Sequence, residues 1–169
     1  MKKLLLTALL ASSTIVSAQQ YLTREAQLSF DAGSPLEDIA AFTESGSAVF
    51  DASSGKIGVQ VLMTSFQFKR ALMQEHFNEN YVESEKFPKA SFKGYYNEGK
   101  VTGELSIHGV TKEISVPASL KEENDNFVLI TAFDLLLKDY NVEIPGAVVD
   151  KISKTASIEV RATLKSVEK

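Results

Sequence analysis

Apolar and polar residues alternate with period two along most of this chain. Ile57, Val59, Val61 and Met63 share one parity, and Lys56, Gly58 and Gln60 the other. Val101, Gly103, Leu105 and Ile107 alternate with Thr102, Glu104 and Ser106, and Ile114, Val116, Ala118 and Leu120 with Glu113, Ser115 and Ser119. Near the end, Ala156, Ile158, Val160, Ala162 and Leu164 alternate with Ser157, Glu159, Arg161, Thr163 and Lys165. Successive side chains of a strand point to opposite faces, so each run predicts a strand with one buried and one wet face, as in antiparallel sheets. Phe127 to Phe133 is apolar on both parities, which predicts a strand covered on both sides.

Polar breaks separate the runs. Ser53-Ser54-Gly55, Asn97-Glu98-Gly99, His108-Gly109 and Glu122 to Asn126 are places where hairpins reverse, with Gly free to take positive φ. Strands at this spacing predict a barrel or a sandwich. Two segments do not alternate. Pro35 to Ala41 fits a short helix with Pro in its first turn. Lys69 to Asn80 is helical in pattern: Met73, His76, Phe77 and Asn80 fall on one stripe.

The first residues change the picture of where the protein resides. Met1-Lys2-Lys3 is a basic start, Leu4 to Ala11 an apolar run, and Val16-Ser17-Ala18 a small-residue cleavage site. Together they read as a secretory signal peptide over residues 1–18, leaving a single domain over 19–169. The apolar run is shorter than the ~20 residues of a membrane span, so no stable span is expected. Removal of Lys2 and Lys3 leaves 16 basic against 22 acidic residues, a net charge of −6. Such a protein has no electrostatic reason to seek nucleic acid. Cysteine is absent, so stability rests on one core without disulfides.

Candidate chemistry is sparse. His76 with Glu79, joined by Glu75 or Glu83, could in principle hold a metal, but a helix-surface His among solvated acids is the favoured reading. Ser106, His108 and Thr111 lie close in sequence without a nucleophile-elbow pattern, and His108 most simply shapes its turn. Glu83/Glu85 and Glu122/Glu123 are carboxylate pairs in turn-like surroundings. No catalytic residue, metal or cofactor is therefore assigned. The apolar parities select Ile57, Val59, Val61, Leu105, Ile107, Ile114, Val116, Phe127, Leu129, Phe133, Ile158 and Val160 as the interior. Alternation shows burial and leaves open whether that interior is a packed core or a tunnel. In Asp139-Tyr140-Asn141, Tyr140 is either a hydrogen-bonding group for a ligand's polar end or an aromatic plug in a turn. Met73, Phe77 and Tyr81 cap the barrel, pack on its side or form a lid over its mouth, and Gly94-Tyr95-Tyr96 either rims that mouth or packs across strands.

Two longer motifs resolve part of this. A helix carrying His76 is followed by Phe87-Pro88-Lys89-Ala90-Ser91-Phe92, and then by Gly103-Glu104-Leu105-Ser106-Ile107-His108-Gly109-Val110-Thr111-Lys112. In this order, and with Asp139-Tyr140-Asn141-Val142 and Ile144-Pro145 later, the chain from Ala26 to Leu164 resembles the YceI-like proteins. The resemblance implies an all-β, extended antiparallel lipocalin-like barrel of about eight strands with one or two short helices. It also implies that the interior positions above, with Tyr140, line a tunnel for a polyisoprenoid, isoprenoid quinone or acyl lipid. The expected protein is a non-catalytic periplasmic or secreted binding protein, a monomer or homodimer. The alternative is an envelope stress-related interaction protein whose barrel is filled. The chain departs from the better-known branch in lacking an Arg-Asp pair before His76, so that branch's head-group contacts are not carried over.

Overall fold

The computed structural model describes residues 19–167, and the signal-peptide segment lies outside them. Nine strands appear in chain order: β1 (Gln20–Gly33), β2 (Ala40–Asp51), β3 (Lys56–Leu62), β4 (Gln67–Phe68), β5 (Lys89–Asn97), β6 (Lys100–Ile107), β7 (Val110–Glu123), β8 (Asn126–Leu136) and β9 (Ile152–Ser166). All but the short β4 form one antiparallel barrel in the order β1-β9-β8-β7-β6-β5-β3-β2, closed by pairing of β1 with β2. Closure leaves no barrel strand at the margin of an open sheet, which limits the backbone donors an all-β chain without helical cover exposes.

Three hairpins use two-residue loops with both residues at positive φ: Glu98-Gly99 (46° and 81°), His108-Gly109 (50° and 74°) and Asn124-Asp125 (52° and 62°). That mirror-image geometry matches the twist of the flanking strands. Gly94 and Gly103 face each other across β5 and β6. A Cβ on Gly103 would lie 2.2 Å from the Lys93 carbonyl oxygen and 2.5 Å from the Gly94 Cα, so this close approach of strands requires glycine.

The alternating runs fall inward as their parity predicts, with two local differences. Ile130, in the doubly apolar stretch of β8, is 42% exposed, so no second layer covers that strand. Its neighbour Val128 is buried although it faces outward, beside Lys121 of β7 and Thr163 of β9. Pro35 to Ala41 forms a tight turn rather than a helix: the Gly33 amide donates to Asp31 Oδ1 (2.8 Å), Ser34 and Glu37 bridge, and β2 begins at Ala40. Polar side chains offering the backbone local partners compete with so short a helix. The Lys69–Asn80 expectation holds as α1 (Ala71–His76), continued by a wider π-type turn at Phe77–Tyr81.

The two ends of the barrel differ. One carries the start of β1, the end of β9 and the loops after β2, β5 and β7. Here Tyr21, Phe50 and Phe127 pack with ring centroids 4.7 Å (Tyr21–Phe127) and 5.0 Å (Phe50–Phe127) apart. The small Ala26, Ala48 and Ala162, all buried, give these rings room. This end is solid.

Candidate functional site

At the other end the barrel is hollow. A cavity of about 480 Å³ opens there, lined from β1 by Leu28 and Phe30, from β3 by Ile57, Val59 and Val61, and from β5 by Phe92. Val101, Leu105 and Ile107 of β6, Ile114 and Val116 of β7, Leu129, Phe133 and Leu135 of β8, and Ala156, Ile158 and Val160 of β9 complete the wall. Inward side chains such as Val59, Ile114, Val116, Phe133 and Ile158 are only half-buried, whereas Ala26 and Leu164 at the solid end are fully buried. The same parity thus meets packed atoms at one end and open space at the other.

Of the thirteen residues the sequence selects, eleven line this cavity. Phe127 and Tyr140 do not. Phe127 belongs to the aromatic floor beneath it. Tyr140 is buried against Leu105 and Leu135, outside the cavity wall, where desolvation raises its hydroxyl pKa. Its role in contacting a ligand is not supported by that position. Tyr95 is 53% exposed on the outer face, and Tyr96 packs on the solid end, so the Gly94–Tyr96 cluster does not rim the mouth.

The mouth is covered by α1 and the turn after it. Leu72, Met73, His76, Phe77 and Tyr81 all line the cavity, and Phe77 stacks on Phe30 with centroids 5.2 Å apart. Phe66 and Phe68 complete this aromatic anchor. Two ion pairs, Arg70–Glu37 and Lys69–Asp38, tie the base of α1 to the loop after β1. The pairing with Asp38 raises the Lys69 pKa through its hydrogen bond. No residue of α1 itself is buried. The charged and imidazole side chains of the lining collect at this rim: Glu37, Arg70, His76 and Lys151. Three small hydroxyl residues, Ser29, Ser91 and Thr131, also belong to the lining, and Thr131 donates its hydroxyl to the Pro117 carbonyl at 2.7 Å.

Pro117 marks a seam in the wall. The β7–β8 ladder runs from Glu123↔Asn126 to Ala118↔Thr131 and stops there. The Ala118 amide donates to Gly99 on the β6 side. Backbone groups alternate along a strand, so Pro117 faces β8 and has no N–H to offer it. Beyond Pro117, the 3₁₀ turn Leu137–Tyr140 packs into the seam, held by Lys112–Asp139 at 3.3 Å, and Leu137 lines the cavity.

His108 does more than shape a turn. Its side chain is 8% exposed, with Nδ1 3.1 Å from the Tyr140 carbonyl oxygen and Nε2 2.9 Å from Glu83 Oε2. The hairpin is thereby tied both to the segment after α1 and to the seam-filling turn. The hydrogen bond from His108 holds the Glu83 carboxyl below its ordinary range. Ser106 bonds instead to Thr111 at 2.7 Å, and both ring nitrogens of His108 are engaged elsewhere. Among the described residues, no group of three or more His, Cys, Asp or Glu is placed to hold a metal ion.

This architecture has relatives of known structure. A polyisoprenoid-binding domain from Saccharophagus degradans implicated in plant cell wall breakdown superposes with a TM-score of 0.76 at 12% identity, covering 89% of this chain and 100% of that one. BcnA of Burkholderia cenocepacia gives 0.71 at 14% identity, over 82% and 95% of the two chains. The YceI protein of Campylobacter jejuni gives 0.55 at 23% identity, over 72% and 82%. At these identities the likeness establishes the fold. No curated protein sequence matches the chain. The model of the YceI-like domain matches residues 22–164, nearly the whole barrel, and the chain belongs to the YceI-like family.

Proposed function

We propose that this protein is a non-catalytic carrier that holds the apolar tail of a long-chain amphiphile, an isoprenoid or acyl lipid, inside the barrel after export to the periplasm or beyond the cell. One observation carries the reading: the cavity of about 480 Å³ is walled mainly by aliphatic and aromatic side chains, and its charged groups gather at the mouth. Burial of apolar chain there contributes about 25 cal/mol per Å² removed from water, less the cost of ordering the chain. Glu37, Arg70, His76 and Lys151 at the rim meet the polar head. Entry requires α1 to move, and its lack of buried residues makes that motion cheap. The polyisoprenoid-binding domain among the structural relatives supports the choice of ligand class. The filled-barrel alternative is disfavoured by the same cavity.

The test is native mass spectrometry of the exported protein purified without detergent, followed by organic extraction. A stoichiometric lipid mass is expected. A bare protein that also fails to bind added isoprenoid alcohols and fatty acids would end the carrier reading.

A further inference from the structure

The solid end gives the cavity a floor, and a floor gives it a depth. On β8 the lining runs from Leu129 to Leu135, directly above Phe127. Six residues at ~3.3 Å each, tilted by about 40°, give about 15 Å along the barrel axis. Extension of the wall to Leu137 and the overlying α1 brings this to about 20 Å. An extended chain built of ~1.5 Å carbon–carbon bonds in staggered torsions advances roughly 1.25 Å per carbon, so the depth accommodates about 12 to 16 carbons. A cavity of about 480 Å³ is of the size that takes one such chain end.

Resting on the carrier function above, we propose that Tyr21, Phe50 and Phe127 form a chain-length ruler. It admits one chain end of about 12 to 16 carbons, or about three isoprene units, and obliges a longer ligand to leave its remainder outside the mouth. Phe127 is the deciding residue. It shares the inward parity of Leu129 but sits one step lower, and its ring meets both Tyr21 and Phe50. The Tyr21 and Phe50 rings lie farther apart, with centroids at 6.5 Å, so removal of the Phe127 ring opens the floor between them.

The experiment displaces a bound fluorescent fatty acid with saturated fatty acids of graded length. With the unaltered protein, affinity rises about fourfold per methylene and then levels off near 12 to 16 carbons. Phe127→Ala moves that break outward by about four carbons or more, since the ring it removes spans several methylene-sized groups. Phe127→Leu, a smaller change that safeguards folding, moves it less, and Tyr95→Ala on the outer face, away from the cavity, leaves it in place. Circular dichroism establishes that each variant is folded. A break unmoved in both folded Phe127 variants, or no break over the series, overturns the ruler while leaving the carrier function standing. Failure of every chain length to bind removes the carrier function and the ruler together.

Discussion

Val116→Phe separates a hollow barrel from a solid one by the sign of its effect. Val116 points inward from β7 and stays half-buried because the space before it is open. The substitution adds four carbons, a small part of a cavity of about 480 Å³. At about 0.8 kcal/mol per buried methylene the added atoms stabilise by at most about 3 kcal/mol. The ring still borders open space and loses rotamer freedom, so the expected change is a gain of about 0 to 1 kcal/mol. In a solid core the same enlargement costs about 1 to 3 kcal/mol. Urea unfolding followed by far-ultraviolet circular dichroism measures this, the chain having no tryptophan to follow. In parallel, the ring displaces about four methylenes of ligand, weakening the longest chains on the order of 100-fold. A destabilised variant that binds as tightly as the parent would refute the hollow.

Other expectations follow from local geometry. Gly103→Ala places a Cβ 2.2 Å from a backbone oxygen that no rotamer change can move, so a loss at or above the ~3 kcal/mol end of overpacking costs is expected in the same urea assay. Glu83 has a depressed folded pKa, so its bond to His108 adds stability above the ordinary value of 4.5 that is lost as pH falls through the folded value. Thermal melts of Glu83→Gln should therefore show a flatter acid limb below pH 4.5 than those of the parent. Arg70→Ala removes an exposed ion pair and should change stability by less than about 1 kcal/mol. Because Arg70 ties the base of α1 over the mouth, the same variant should release a fluorescent fatty acid faster in stopped-flow displacement.

Parity was legible in the sequence, and height was not. Ile57, Leu105, Ile114 and Val160 fall inward because a strand's period of two reports which face is buried. Phe127 and Leu129 share that parity, yet one belongs to the floor and the other to the wall. Their difference is position along the barrel axis, which depends on register and tilt among eight strands and leaves no mark in a local pattern. For the same reason alternation could not distinguish void from core. Ile130 misled because an apolar residue on an outer face is ordinary and needs no covering layer. The role of His108 was invisible for another reason: its partners Glu83 and Tyr140 are 25 and 32 residues distant in sequence. The helix stripe at Met73 and Phe77, by contrast, is a local signal, and it located the cap of the mouth.

The position of β9 between β1 and β8 has a consequence for how the protein is made. Ala156, Ile158 and Val160 supply one side of the cavity, and their strand is the last of the barrel's strands in chain order. Until that strand docks, the rest of the chain is an open trough with β1 and β8 as bare edges, unable to enclose a ligand and prone to pair with a neighbour. Enclosure of any ligand would therefore follow completion of the barrel. The same trough is a template for strand addition. A polypeptide ending before Ile152, offered a separate peptide with the β9 sequence, is in principle a split receptor in which assembly of the two pieces switches ligand capture on.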